Sequence, residues 1–142
     1  MAKTYAQLAA IVFLIVGAGG FLTGDASHVV HGEAWGNFSG VTLHLTYTRD
    51  VLNLLIAAAF AYAGFIAPED DAWIPVLAAG ALLMLLTVVG FVHPDNDAGT
   101  DAVITLHFPL AMNIFDLVSG VLAVLCALGS LAGDIEPARA DA

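Results

Sequence analysis

The amino-acid sequence predicts an all-α membrane protein with four transmembrane helices. Of its 142 residues, 60% are hydrophobic and only 11% are charged, whereas about 25% of the residues in a soluble domain carry a charge. The apolar residues also fall into four runs, each close to the ~20 residues that a helix needs to cross the hydrocarbon layer. The chain is therefore expected to form a single four-helix transmembrane domain over residues 1–142.

The four expected spans are separated by polar stretches. They cover about residues 7–22, 45–67, 73–92 and 109–132. Pro75 and Pro109 stand near the starts of the third and fourth spans, where the missing N–H of proline costs nothing. The short acidic segment before Trp73 predicts that the second and third spans form a tight antiparallel hairpin.

The charges predict an orientation and exclude one class of partner. Four crossings place both termini on one side, and Lys3 and Arg139 on that side indicate that it is cytoplasmic, with Arg49 as the one opposing basic residue. The expected location is the plasma membrane of a prokaryote. The net charge of −10 argues against nucleic acid, which is bound through Lys and Arg. It also suggests a high-salt habitat, where screening makes self-repulsion tolerable.

The two halves of the sequence resemble each other. Gly20 aligns with Gly90, and the run that begins at Asp50 aligns with a run 63 residues further along. The repeated units cover residues 8–67 and 77–132. Because each unit contains two helices, both units enter the membrane in the same direction. The sequence therefore predicts two parallel helical hairpins related by an axis along the membrane normal.

The residues of this repeat also resemble a family of small four-helix prokaryotic membrane proteins of unknown function. In that family the first helix ends in a Gly-Phe turn, which begins here at Gly20. The second and fourth helices of the family open with Asn followed three residues later by His. Here those positions hold Asp50 and Asn53 in one helix and Asn113 and Asp116 in the other. The resemblance covers nearly the whole chain and implies a fold and a topology. It implies no activity, and no metal or haem role carries over, because the family's histidines are replaced.

Five polar residues fall inside the second and fourth spans. They are Arg49, Asp50, Asn53, Asn113 and Asp116. Ionisable residues within a span suggest function by default, but carboxylates near a helix start are also favoured by the helix dipole. Asn and Asp side chains can join helices by hydrogen bonds. The sequence predicts a polar intramembrane cluster that links the two repeats, with Arg49 paired to Asp116 or to Asp50. A proton or ion pathway through the two aspartates is the alternative.

All five histidines are expected on the side of the membrane opposite the termini. They are His28, His31, His44, His93 and His107. Imidazole groups with nearby carboxylates suit Zn, Cu or Ni. His44 and His107 occupy equivalent positions in the repeat, so they are candidate ligands of a metal or axial ligands of a haem. Because no motif with metal-ligand spacing is present, solvated or loop-capping histidines are the other interpretation.

The motifs of common enzymes are missing from the sequence. It contains no phosphate-binding loop, nucleophile elbow or paired general acid and base, so neither catalysis nor a cofactor is expected. The expected role is a structural or accessory component that contacts the lipid bilayer and pairs with itself or with a larger membrane complex. A metal- or haem-binding module and a small ion or proton transporter are the two alternatives.

Overall fold

The fold consists of four long helices, in a computed structural model that describes residues 1–23, 37–38, 41–42, 46–94 and 106–140. The helices are α1 (Ala2–Thr23), α2 (Tyr47–Ala61, continued by a π-helical turn over Tyr62–Ile66), α3 (Trp73–Val92) and α4 (Leu110–Ala140). Between α1 and α2, strand β1 (Asn37–Phe38) pairs antiparallel with strand β2 (Val41–Thr42). Apart from this short pairing, the elements in the described ranges are helical, as the sequence predicts.

The helices extend beyond some of the spans expected from the sequence. Helix α3 has the expected bounds, but α1 begins at Ala2 instead of residue 7, and α4 continues past residue 132. The first turn of α1 is held by contacts with α4: the Ala2 N–H donates to Ser130 Oγ at 2.8 Å, and the Tyr5 hydroxyl donates to the Ser119 carbonyl at 2.6 Å. Polar residues at this end are therefore accommodated by tertiary hydrogen bonds.

All four helices contain a segment that is long and apolar enough to cross a membrane. These segments are Ala2–Leu22, Tyr47–Ile66, Glu69–Val92 and Leu110–Gly133. Large apolar side chains such as Leu8, Ile15, Leu55 and Leu125 are exposed on the outside of the bundle. A soluble monomer rarely exposes large contiguous apolar patches. The surface and the helix lengths are consistent with a multi-pass membrane protein.

The helices pack most extensively in consecutive pairs. The contacts of α1 with α2 and of α3 with α4 are the largest, and α1 also packs against α4 and α2 against α3. Small residues allow close approach within the pairs. A Cβ atom added to Gly80 would lie 3.2 Å from the Gly120 carbonyl oxygen, and one added to Gly120 would lie 3.2 Å from that of Gly80. In the other pair, a Cβ on Gly17 would lie 2.9 Å from Leu54 Cγ.

Corresponding positions of the two helix pairs face the interior. The order of buried, half-buried and exposed residues is the same in residues 1–10 and 71–80. In α2 and α4, buried residues recur at a separation of 63 positions. The matching buried sets are Arg49, Asp50, Asn53, Ala57 and Phe60 in α2 and Met112, Asn113, Asp116, Gly120 and Ala123 in α4. The bundle interior is therefore polar near the starts of α2 and α4 and apolar further along these helices.

Candidate functional site: a buried polar cluster

The start of α2 is fixed by a side-chain cap. Thr46 has an extended backbone and precedes the helix, and its hydroxyl accepts a hydrogen bond from the Arg49 N–H at 3.2 Å. A threonine in this position satisfies one of the backbone donors that the first turn leaves without a helical partner. This cap places Arg49 and Asp50 side by side in the first turn of α2. Both side chains are buried.

The start of α4 is stabilised by a different local contact. Pro109 directly precedes the helix, and the side-chain amide of Asn113 donates to the carbonyl oxygen of Phe108 at 3.1 Å. One turn further along α4, Asp116 is completely buried. Because residues three apart lie on the same face of a helix, Asn113 and Asp116 both point into the bundle.

An ion pair joins α2 to α4 across the bundle. Nη2 of Arg49 donates to Oδ2 of Asp116. The two side chains are 1% and 0% exposed. Helix α2 packs mainly against α1, and α4 mainly against α3. The long Arg49 side chain therefore spans the interior to reach its partner. The first of the two pairings expected for Arg49 from the sequence is therefore present.

Two glycines lie directly against the other polar residues in the first turns of α2 and α4. A Cβ atom on Gly20 of α1 would overlap the carboxylate of Asp50, and one on Gly90 of α3 would overlap the side-chain amide of Asn113. Each polar side chain is thus packed directly against the backbone of the neighbouring helix. No residue other than glycine fits at either position unless the facing side chain moves.

The described residues leave several buried polar atoms of this cluster without a hydrogen-bond partner. They are Nε and Nη1 of Arg49, both amide atoms of Asn53, Oδ1 of Asn113 and Oδ1 of Asp116. Asn53 lies one helical turn beyond Arg49 and is completely buried. Burying polar groups without partners costs free energy, so these atoms are the most unusual chemical feature of the described chain.

A layer of apolar side chains occupies the interior further along the helices than the cluster. Phe13 of α1 lies 5.8 Å from Phe60 of α2 and 5.0 Å from Phe115 of α4, measured between ring centroids. Phe60 also makes an edge-on contact with Tyr5 at 5.6 Å. Leu83 of α3 is also fully buried and belongs to the same apolar core. The polar interior is consequently confined to one end of the bundle.

The candidate metal ligands are only partly covered by the structure. His93 is exposed at the end of α3, where its backbone N–H donates to the Val89 carbonyl at 2.8 Å, and His107 is buried just before α4. His28, His31 and His44 lie outside the described residues. Within the described ranges, no three His, Cys, Asp or Glu side chains are grouped so as to hold a metal ion.

Sequence reasoning overlooked several residues of the site. Gly20 and Gly90 were recognised as part of the repeat but not as the surfaces that contact Asp50 and Asn113. The signal in the sequence is that each of the two aligned glycines is followed in the chain by one of the two aligned polar residues, Asp50 or Asn113. Met112, which is buried at the position equivalent to Arg49, was also missed.

The comparisons with known proteins find no relative that assigns this site a role. No protein-family model, curated protein or solved structure matches the chain. The chemistry of the cluster is therefore argued from its own residues.

Proposed function

We propose that this chain is a multi-pass membrane protein with a structural or accessory role, and that its buried polar cluster joins two helical hairpins. The observation that carries the proposal is the ion pair between Arg49 and Asp116, because its two partners belong to different hairpins. Inside an apolar bundle such a pair resists separation, since removing one partner would leave the other charge buried and uncompensated. The exposed apolar surface is available to lipid and to other membrane helices.

The two hairpins are proposed to be repeats of one unit. Support comes from the matching order of buried residues in α1 and α3 and from the matching buried positions in α2 and α4. The equivalent contacts of Gly20 with Asp50 and of Gly90 with Asn113 add to this support. A resemblance to small four-helix prokaryotic membrane proteins of unknown function agrees with this architecture and contributes no activity.

The cellular setting is part of the same proposal. We place the chain in the plasma membrane of a prokaryote, with both termini in the cytoplasm, because Lys3 and Arg139 lie near the termini. The net charge of −10 is compatible with a high-salt habitat. A second copy of the chain or a larger membrane complex is the proposed partner. We propose no catalytic activity and no resident cofactor.

A structural role is favoured over proton or ion transport by the apolar layer beyond the cluster. A transport pathway needs polar groups or water along its length, whereas the buried residues further along α2 and α4, among them Ile56, Phe60 and Ala123, are apolar. Transport through the aspartates would require this layer to open. The polar cluster therefore fits a static connection better than a pathway through the bundle.

Reconstitution into liposomes tests this choice. In vesicles that carry a pH gradient and an internal pH-sensitive dye, we expect the protein to give no more proton flux than protein-free vesicles. The comparison variant is Asp116→Asn, which keeps the shape of the side chain and removes its charge. Because this change leaves Arg49 buried without its partner, the fold of the variant is verified by circular dichroism before reconstitution. A flux that the protein supports and that Asp116→Asn abolishes would contradict the structural role and establish the transport alternative.

A further inference from the structure

Several buried polar atoms without partners belong to facing sides of α2 and α4. Arg49 and Asn53 are four residues apart on α2, so they occupy one helix face. The contact between Arg49 and Asp116 brings this face to Asp116 of α4. All three side chains are at most 1% exposed. Their unpartnered atoms are therefore buried where α2 faces α4, whereas Oδ1 of Asn113 lies against α3 at Gly90.

These atoms offer both hydrogen-bond donors and acceptors. Nε and Nη1 of Arg49 and Nδ2 of Asn53 are donors, while Oδ1 of Asn53 and Oδ1 of Asp116 are acceptors. The charges of Arg49 and Asp116 compensate each other, and Asn53 is neutral. A bare cation would be repelled by the free edge of the guanidinium, and a bare anion by the two oxygens. The site therefore suits a net-neutral ligand that both donates and accepts hydrogen bonds.

We infer that Arg49, Asn53 and Asp116 form an internal binding site for water, or for a small neutral solute with hydroxyl groups, at the end of the bundle where α2 and α4 begin. The physical reason is the cost of burying polar groups without partners, which a few bound molecules would remove; buried waters typically make about three hydrogen bonds each. The inference goes beyond the structural role proposed above and does not depend on the repeat.

The proposed route from water to the site starts at the end where α2 and α4 begin. In the other direction the buried side chains, among them Phe13 and Phe60, are apolar. Ile56, three residues beyond Asn53 on the same helix, is buried among apolar side chains of the core. Neighbouring buried positions of α2 should therefore differ sharply in their contact with water, and this difference can be measured.

Thiol labelling tests the inference on the full-length protein in detergent. Cys126 is the chain's one cysteine, so a Cys126→Ala background allows Asn53→Cys and Ile56→Cys to be compared with a small, water-soluble methanethiosulfonate reagent. Because the reactive species is the thiolate, which an apolar environment disfavours, we expect Asn53→Cys to react at least about 100-fold faster than Ile56→Cys. Equal, slow rates at the two positions would overturn the inference.

Labelling at increasing glycerol concentrations distinguishes the two candidate ligands, water and a hydroxyl solute. If a hydroxyl solute occupies the site, glycerol should slow the labelling of Asn53→Cys without affecting an exposed control, Thr4→Cys. If water alone occupies the site, the labelling rate should not depend on glycerol beyond the change seen in that control. Both results support a polar binding site, and they assign different occupants to it.

A measurement on the unsubstituted protein covers the case in which Asn53→Cys does not fold. In micelles, magnetisation transfer between ligand hydrogens and the side-chain amide hydrogens of Asn53 should be detectable by NMR, with water or glycerol as the source. Absence of transfer from both sources would overturn the inference, since the amide would then have neither ligand as a neighbour.

Discussion

At the scale of single residues, α2 and α4 have buried residues at corresponding positions, but the charges at those positions differ. Arg49 and Asp116 form an ion pair across the bundle. Their counterparts at a separation of 63 positions are Met112 and Asn53, both buried and uncharged. If the hairpins are related by a two-fold axis, this axis relates Arg49 to Met112 and Asp116 to Asn53. The line from Arg49 to Asp116 and the line from Met112 to Asn53 are then two equivalent diagonals between α2 and α4, and the interior would accept the charges on either diagonal.

Relocating the ion pair tests this symmetry. Arg49→Met alone leaves the Asp116 carboxylate buried without its partner, and we expect it to lower the free energy of unfolding by about 3–5 kcal/mol. Combining Arg49→Met and Asp116→Asn with Met112→Arg and Asn53→Asp moves both charges to the other diagonal. This quadruple variant should recover most of the lost stability, measured as the midpoint of unfolding by a denaturing detergent.

The matched control for the relocation is the triple variant Arg49→Met, Asp116→Asn and Met112→Arg, which lacks Asn53→Asp. It moves the guanidinium to α4 without supplying the carboxylate at position 53, so it should remain as unstable as Arg49→Met. If the quadruple variant is no more stable than this control, the two diagonals are not equivalent. The proposed repeat would then lose its main support at the level of side chains.

The sequence was informative about which residues join the polar cluster and less informative about what they contact. Charged and amide side chains within apolar spans have to find partners inside the protein, which is why the pairing of Arg49 with Asp116 was foreseeable. The contact of Asp50 with Gly20 depends on where α1 crosses α2. That crossing is set by the packing of many side chains, and no local pattern specifies it.

At the scale of helices, glycines determine how closely α1 approaches α2 and how closely α3 approaches α4. Gly17 and Gly20 lie one turn apart on α1, and a Cβ on either would meet atoms of α2 at less than 3 Å. Gly80 and Gly90 have this role on α3. Gly19 has no atom of another element within 4 Å of an added Cβ. The effect of a glycine-to-alanine substitution on stability should therefore depend on whether the glycine faces a neighbouring helix, even for two glycines of the same helix.

Alanine substitutions on α1 and α3 test this dependence. Gly20→Ala and Gly90→Ala should each lower the free energy of unfolding by about 1–3 kcal/mol, because the added methyl group displaces the side chain of Asp50 or Asn113. Gly19→Ala should be neutral or stabilising by up to about 1 kcal/mol, since alanine favours the helix. The midpoints of detergent-induced unfolding measure all three. Equal losses for Gly19→Ala and Gly20→Ala would contradict the close helix approach.

The bounds of the helices show how far hydropathy predicts where a helix begins and ends. Helix α3 begins and ends with its apolar run, so the sequence predicted it correctly. Helix α1 starts five residues before its expected span because Ala2 and Tyr5 bond to residues of α4. An apolar run marks the part of a helix that suits lipid. The ends of the helix depend on tertiary hydrogen bonds that the sequence alone does not reveal.

At the scale of the whole molecule, the distribution of side chains is consistent with a lipid environment. Charged side chains such as Arg49 and Asp116 are buried, while large apolar side chains such as Leu8 and Leu125 are exposed. Composition predicted the lipid environment, because so few charges cannot cover a water-soluble surface, and the four apolar runs predicted the helices. The side of the membrane on which each end lies depends on only three basic residues, so it requires a direct measurement.

Labelling of single cysteines in cells measures the sidedness of the bundle. Thr4 and Asp70 are exposed at the end where α1 and α3 begin, and His93 is exposed at the other end. In the Cys126→Ala background, an impermeant maleimide should label His93→Cys in intact cells and reach Thr4→Cys and Asp70→Cys only after lysis. The physical reason is that basic residues near the termini, Lys3 among them, are retained in the cytoplasm. The reverse pattern would contradict the orientation alone, whereas equal labelling of Asp70→Cys and His93→Cys in intact cells would contradict the four crossings themselves.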